Sequence, residues 1–213
     1  MSGRGFLAIW SDIDAAAETD YLHWMTREHA IERVSIPGFL GMRMFRALQA
    51  DVRRYFILYE LETPDVVGGA DYLARLNSPT PWSQRIMPQL QNFVRGGGSV
   101  VAASGAGLGG FVTAYTFEDI SALDGAALVT ALAREERISS VRLLATDHAH
   151  TAIRTREKDM RMRDSSFDGI LLIEGVDEAA VGTAAGNLAA LAPKRTAPAP
   201  IYTTIFALDR RQL

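Results

Sequence analysis

The chain has 213 residues, of which 48% are hydrophobic and 22% are charged, and its formal net charge at pH 7 is −3. This balance predicts an ordinary globular protein of one domain or two small ones, and the near-neutral charge argues against a nucleic-acid partner. The absence of cysteine excludes disulfides, thiolate nucleophiles and cysteine-ligated zinc or iron–sulfur sites.

The first half of the chain predicts the element order β-α-β-β-α-β. Aspartate at Asp12 or Asp14 suits the start of its first helix, because a carboxylate accepts hydrogen bonds from the free N–H groups of a first turn. That helix should end near Pro37-Gly38, since proline cannot continue it. The predicted strands are 6–10, 39–48, 53–62 and 99–103, the middle two paired around Gln49-Ala50-Asp51, with further helical segments at 66–76 and 81–93.

The second half repeats this order. Its predicted strands are 110–119, 141–153, 167–176 and 200–211, and its helices are 124–138 and 177–192. Three local matches support a duplication: Phe6 with Phe111 (111 − 6 = 105), ERVS at 32–35 with ERIS at 136–139, and ILYE at 57–60 with LLIE at 171–174. Each half therefore predicts a split βαβ, or ferredoxin-like, unit.

The paired units resemble the dimeric α+β barrel superfamily, in which two ferredoxin-like sheets pack face to face. The histidine-bearing first helix, its PGF ending at 37–39 and the Pro81-Trp82 segment resemble the EthD-like and antibiotic-biosynthesis-monooxygenase branches. This resemblance implies an α+β fold, with residues 1–104 as the first half, 105–110 as a glycine-rich linker and 111–213 as the second half. Such an arrangement buries the apolar sheet face that one unit alone would leave exposed.

The glycine-rich segment 105–110 fits G-x-G-x-x-G, but it does not predict a dinucleotide site. That fingerprint requires a helix immediately afterwards, so that the helix N-terminus faces the pyrophosphate. Here FVTAYTF follows, with the alternation of a strand. We therefore interpret the segment as the connection between the two halves.

His29 is the leading candidate for chemistry. On an α-helix it shares a stripe with Glu18, Leu22 and Met25, which would place an imidazole where the helix meets the sheet. Burial there would lower its pKa and a carboxylate partner would raise it. A packed histidine hydrogen-bonded to backbone is the alternative, because perturbed groups are often structural.

Arg43 is the second catalytic candidate. It lies in a strand that is otherwise apolar, and a buried arginine requires a partner of opposite charge. Glu60, Glu28 or a ligand carboxylate could be that partner. In this hypothesis His29 removes a proton from a carbon acid or phenol, and Arg43 stabilises the oxyanion that forms. The remaining candidates for binding the substrate are Trp10, His23, Arg33, Tyr55, Tyr59 and Trp82.

Two further segments carry polar residues of interest. His148 and His150 would face the same side of a strand and could meet one metal, but no third ligand is apparent, so no metal site is predicted. Residues 153–164 mix basic and acidic side chains, with Arg161 and Arg163 alternating with Met160 and Met162. Mixed charge is typical of a solvated flap or lid.

The second-half helix at 124–138 lacks histidine and tryptophan, which predicts that the pocket lies in the first half and that the second half serves as a scaffold. We expect a cofactor-independent enzyme, an oxygenase, isomerase or lyase, that acts on a small, partly aromatic molecule. The alternatives are a non-catalytic ligand-binding or stress-associated protein and a haem-binding protein of the resembled superfamily. A homodimer is possible. The segment MSGRGFLAIWSDID is too short for a signal sequence, and no apolar stretch approaches the roughly 20 residues that span a bilayer, so a cytoplasmic location with no membrane partner is expected.

Overall fold

The structure is a computed structural model that describes residues 4–48, 53–161, 164–191 and 199–213. The predicted turn at Gln49-Ala50-Asp51, and Met162 and Arg163 of the predicted flap, lie outside these residues. The strands are β1 (Gly5–Ile13), β2 (Phe39–Ala47), β3 (Arg53–Leu61), β4 (Gln91–Gly105), β5 (Phe111–Phe117), β6 (Ile138–Thr146), β7 (Gly169–Gly175) and β8 (Ile201–Asp209).

The helices of the first half lie between these strands. The first is a composite of α1 (Glu18–Trp24), a π-helical segment (Met25–His29) and α2 (Ala30–Val34), and it is followed by α3 (Ala70–Leu76) and α4 (Pro81–Ile86). The helices of the second half are α5 (Gly125–Leu132), α6 (His148–Ala152), α7 (Arg156–Asp159) and α8 (Glu178–Leu191). No helix among the described residues is long and apolar enough to cross a membrane.

Within the described residues, eight strands close into one antiparallel barrel in the order β1-β3-β2-β8-β5-β7-β6-β4. The first half contributes β4-β1-β3-β2 and the second half β8-β5-β7-β6, which is the same order in both. The pairs β2–β8 and β4–β6 join the two sheets. The prediction of two tandem ferredoxin-like halves forming a pseudo-dimeric α+β barrel is therefore confirmed.

The alternation along β1 separates two apolar cores. Phe6, Ala8 and Trp10 point into the barrel, where they pack with residues of both halves. Leu7 and Ile9 point outward, against the helices of the first half. A third core lies between α5, α8 and the outer face of the second sheet. The outer core of the first half holds the candidate site.

A buried ion cluster inside the barrel links the halves and follows their duplication. Arg43 on β2 donates to both carboxylate oxygens of Glu174 on β7, at 2.7 and 2.9 Å. Arg142 on β6 donates to Glu60 on β3 at 3.1 Å and to Glu174 at 2.7 Å. Arg43 faces Leu58 in its sheet, and Arg142 faces Leu172, so the two arginines occupy equivalent positions. The similarity of ILYE and LLIE thus marks a true structural equivalence.

The match between ERVS at 32–35 and ERIS at 136–139 does not mark a structural equivalence. Residues 32–34 lie in α2, whereas Ile138 begins β6 and Arg137 occupies the turn before it. Arg137 has a φ of 60°, and Gly38, immediately before β2, has a φ of 89°. The turn residues are therefore the equivalent pair, and the repeated letters are coincidental.

The last strand of the first half is longer than predicted. β4 extends from Gln91 to Gly105 and includes the three glycines 96–98, which the sequence analysis left outside any strand. A Cβ atom at Gly98 would lie 2.1 Å from the carbonyl oxygen of Ala145 on the neighbouring strand, so this position requires glycine. After the linker, β5 follows without a helix, as predicted, which excludes the dinucleotide fingerprint there.

Candidate functional site

A small cavity lies between the outer face of the first-half sheet and the composite first helix. Its volume is about 40 Å³, measured as the space available to the centres of water molecules, so it has room for a few waters. Its apolar wall comes from the sheet, the helices and the start of β4. The lining residues that carry polar groups are Ser11, Tyr21, Trp24, His29, Arg33, Tyr59, Tyr72, Arg95, Thr155, Glu157, Lys158 and Arg161.

The π-helical segment places His29 against Trp24. The N–H of Ala30 donates to the carbonyl of Met25, which is the i→i+5 bond of a π-helix. The extra residue in the turn brings the rings of Trp24 and His29 to a centroid distance of 4.1 Å with a 34° tilt. The prediction that His29 faces the sheet is confirmed, since only 6% of its surface is exposed. π-segments of this kind frequently occur at functional sites.

The imidazole of His29 is neutral at physiological pH. Burial lowers its pKa well below the ordinary value, and the nearby charges of Arg33 and Arg161 lower it further. Its Nδ1 is buried without a hydrogen-bond partner among the described residues and lies 4.0 Å from a carboxylate oxygen of Glu32. The predicted backbone hydrogen bond of a purely structural histidine is therefore not present at Nδ1.

A second cavity-lining group is unsatisfied in the same way. The hydroxyl of Thr155 is buried without a hydrogen-bond partner in the described part of the chain, whereas the buried hydroxyl of Tyr21 has the Ser11 hydroxyl beside it. Because buried polar groups are nearly always paired, two unpaired groups around one cavity indicate a place prepared for a polar ligand.

The second half closes this cavity. The cavity-lining residues from this half are Thr155, Glu157, Lys158 and Arg161, which belong to the predicted flap or lid, here the segment around α7. Glu157 is 3% exposed and forms an ion pair with the equally buried Arg33. The segment is thus a cover over the first-half pocket, so the second half supplies more than a scaffold.

Other contacts hold this cover in place. The guanidinium of Arg161 lies 4.0 Å from the ring centre of Phe93, and it donates to both oxygens of Asp164 at 2.8 and 2.7 Å. The backbone N–H of Arg156 donates to the side chain of Asn77, after α3, at 3.1 Å. The cover is therefore packed against the first half of the chain.

The remaining binding candidates divide between the cavity and its surroundings. Arg33 and Tyr59 line the cavity together with His29. Tyr55, Trp82 and His23 do not: Tyr55 donates to Glu18, Trp82 donates to Asp20 at 2.9 Å, and His23 is half-buried on α1. Trp82 and His23 lie in the surrounding helix layer, and Tyr55 lies on β3.

Arg43 and Trp10 require a correction. Both point into the barrel, on the face of the first sheet opposite to His29, because neighbouring strand positions alternate between faces. Arg43 pairs with Glu174, a partner that the sequence analysis did not consider. Trp10 stacks on Phe56 at 4.5 Å. The structure therefore does not bring Arg43 to His29, and the oxyanion role given to it is withdrawn.

The shared face assumed for His148 and His150 is also wrong. Both lie on the short helix α6, not on a strand. His148 contacts Asp168 at 3.2 Å and His150 contacts Asp147 at 3.0 Å. Residues two apart on a helix point in different directions, so the pair does not converge on one metal.

Sequence reasoning missed Tyr21, Arg95, Thr155, Glu157 and Lys158. Tyr21 is separated from His29 by eight positions, and the π-segment shifts the helical phase between them. The other four come from elements that are distant in sequence. The mixture of basic and acidic residues at 153–164 was a signal for the segment but did not indicate where it packs.

Haem does not fit this cavity. Pockets for ligands and cofactors of drug size or larger typically measure about 300–1,000 Å³, compared with about 40 Å³ here. The buried side chains of Trp24 and Tyr59 are among the large groups that line it.

Comparisons with known proteins give matches at the level of the fold. No protein-family profile matches the sequence, and no curated protein matches it significantly. A candidate monooxygenase from Fusobacterium nucleatum has a TM-score of 0.59 and 11% identity, and the match covers 98% of this chain and 95% of that one.

Two other solved structures are similar over nearly the same length. An anthrone oxidase-like protein has a TM-score of 0.58 and 10% identity, with 99% of this chain and 94% of that chain covered. A chlorite dismutase from Candidatus Nitrospira defluvii, in complex with imidazole, has a TM-score of 0.51 and 13% identity, with 96% and 92% covered. Together with the closed eight-stranded barrel, these matches show that the chain has the dimeric α+β barrel fold, with both halves of the barrel in one polypeptide.

Proposed function

We propose that this protein is a cofactor-independent enzyme that removes a proton from a small, partly aromatic carbon acid or phenol, with His29 as the base. The observation that carries this proposal is a buried, neutral imidazole that packs against Trp24 in the wall of a small cavity, with its Nδ1 free of hydrogen bonds to the described residues. A base must be unprotonated before it can accept a proton, and the low pKa of His29 ensures this at neutral pH.

The position of Glu32 favours one orientation of the reaction. We assign the hydrogen to Nδ1, which lies 4.0 Å from a carboxylate oxygen of Glu32, and the basic lone pair to Nε2. The C–H or O–H bond of the substrate breaks, its proton moves to Nε2, and the bonding pair stays on the substrate as an enolate or phenolate. Glu32 then stabilises the imidazolium, as a carboxylate behind a catalytic histidine does.

The new anion also has partners. The hydroxyl of Tyr21 lines the cavity and can donate to it, and the positive charges of Arg33 and Arg161, which disfavour a protonated His29 in the empty site, favour an anion beside it. Oxygenases, isomerases and lyases can all begin with this step. Two neighbours are named for oxidation chemistry, and anthrone, in the name of one of them, is itself a carbon acid.

An aromatic ring does not fit this small cavity, so binding requires the cover at 155–161 to move outward. This movement would separate Glu157 from Arg33 and would readmit water until the cover closes again.

Deuterium exchange tests the proposed reaction directly. In anaerobic D₂O, the protein should accelerate exchange of the acidic C–H protons of 2-indanone or phenylpyruvate above the buffer rate, as measured by proton NMR. Treatment with EDTA should leave the rate unchanged. Binding of these probes without accelerated exchange would favour the non-catalytic ligand-binding alternative, and loss of activity with EDTA would overturn cofactor independence.

A titration of the imidazole signals checks the state of the proposed base. We expect the His29 resonance, assigned through its loss in His29→Gln, to remain that of a neutral ring as the pH falls through about 6.5, the ordinary value. Below that pH the unfolded chain binds a proton that the folded His29 does not, so this residue should lower the free energy of unfolding as the pH falls. A His29 signal that titrates at or above the ordinary value would contradict the assignment.

A further inference from the structure

Two cations at the edge of the cavity share a single neutral oxygen. Arg95 on β4 donates to the carbonyl oxygen of Thr151 at 3.2 Å, and the ammonium of Lys158 on α7 donates to the same atom. The other side-chain hydrogen bond of Arg95 goes to the hydroxyl of Tyr72 at 3.2 Å. Within the described residues, neither cation forms an ion pair with a carboxylate.

This arrangement is electrostatically incomplete. Arg95 is only 5% exposed, and a buried charge is costly unless an opposite charge accompanies it. Burial lowers the pKa of Lys158 to about 8, and the charge of Arg95 contributes to that shift. Of the four cationic side chains that line the cavity, Arg33 pairs with Glu157 and Arg161 pairs with Asp164, which leaves Arg95 and Lys158 without an ion pair among the described residues.

The two cations also stand between the cavity and the surface. Both line the small cavity, and both line an outer cleft of about 210 Å³ whose other walls include His148, Ser165 and Ser166. Asp164 also lies in that cleft. Both of its oxygens accept from Arg161, and its charge opposes the lowering of the Lys158 pKa without outweighing burial. An incoming ligand that used this route would meet Arg95 and Lys158 before it reached His29.

We propose that Arg95 and Lys158 bind a carboxylate, and that the substrates of this site are small aromatic carboxylates that reach His29 through the outer cleft. The carboxylate would bridge the guanidinium and the ammonium, and the ring would enter the apolar cavity. This inference rests on the proposed function, because it names the substrate class of the same site.

The test uses benzoate and its neutral, nearly isosteric analogue benzamide. With the wild-type protein, calorimetry should show that benzoate binds about tenfold more tightly than benzamide, the contribution of about one charge-assisted contact. Added salt should weaken binding of benzoate more than binding of benzamide. Benzoate should also shift the NMR signals of the His29 ring, which would show that the ligand reaches the inner cavity.

Lys158→Gln should remove most of this preference, because it deletes one of the two charges. The matched control is Arg154→Gln, a loss of charge on the same segment at a side chain that is 86% exposed and bound to Asp159. The control should keep the preference. Equal binding of the two probes, no binding of either, or an unchanged preference in Lys158→Gln would each overturn the inference.

These outcomes are separate from those that test the proposed function. His29→Gln should keep the preference for benzoate while losing exchange of 2-indanone, a neutral probe. If exchange of 2-indanone depends on His29 but benzoate is not preferred, only the substrate class is wrong. If benzoate is preferred but no exchange occurs, the carboxylate site stands without the catalytic proposal.

Discussion

Replacing His29 with Gln is expected to slow deuterium exchange of 2-indanone by about 10²–10⁴-fold, the usual contribution of a positioned general base. Glutamine keeps a polar side chain in the space beside Trp24 but cannot accept the proton. The exchange rate under anaerobic conditions is the measurement. It reports the proton-transfer step alone, whatever reaction follows.

The matched control is His23→Gln, because His23 lies on the same composite helix but does not line the cavity. Its exchange rate should equal that of the wild type. Circular dichroism and thermal unfolding should show that both variants fold. A folded His29→Gln variant with the wild-type rate would remove His29 from the mechanism, and an equal loss in both variants would show that the effect is not specific to the cavity.

Replacing Glu174 with Gln should lower the free energy of unfolding by about 3–5 kcal/mol, because removal of one partner leaves a buried charge uncompensated. Glu174 is 1% exposed and accepts hydrogen bonds from Arg43, Arg142 and the N–H of Gly109. Urea unfolding at pH 7 measures the change. The duplication supplies the control: Glu60→Gln should cost only about 0–1 kcal/mol, since its side chain is 33% exposed and Arg142 keeps Glu174.

The effect of Glu174 should also depend on pH. Burial by itself raises the pKa of its carboxyl, but the hydrogen bonds and charges of Arg43 and Arg142 outweigh burial, so the pKa lies below its ordinary value. The ionised group therefore stabilises the folded protein at neutral pH, and this contribution disappears as the pH falls through the lowered pKa. Wild type and Glu174→Gln should thus converge in stability in acid. If Glu174→Gln and Glu60→Gln lowered the free energy of unfolding equally at pH 7, the greater importance of Glu174 in the ion cluster would be contradicted.

The architecture could be predicted from local features of the chain. The two halves repeat their order of elements, and the outward and inward positions of β1 follow from its alternating residues. His29 was predicted to face the sheet, and it does so. The phase of the first helix beyond Trp24 could not be predicted, because a π-segment depends on packing as well as on local propensity.

The composition of the site was less predictable. Arg43 was assigned to the pocket because it is a charged residue in an apolar strand, but that signal is the same for either face of the sheet. Only the pairing with Glu174 decides the face. The covering segment depends on a contact between Arg33 and Glu157 across 124 positions, which no local pattern indicates.

The sequence by itself determined the duplicated unit, the barrel class and a buried histidine on the first helix, because alternation and turn residues act over a few neighbours. The predicted cap at Asp12 or Asp14 was wrong, since the first helix begins after Ala17 without a side-chain cap. The tertiary structure decided which charged groups lie together. Arg43 pairs with Glu174 inside the barrel, Arg33 pairs with Glu157 under the cover, and Arg95 and Lys158 share one carbonyl oxygen at its edge. The physical reason is that electrostatic partners are selected by distance and burial in three dimensions, and closure of the barrel brings together strands and loops that are far apart along the chain.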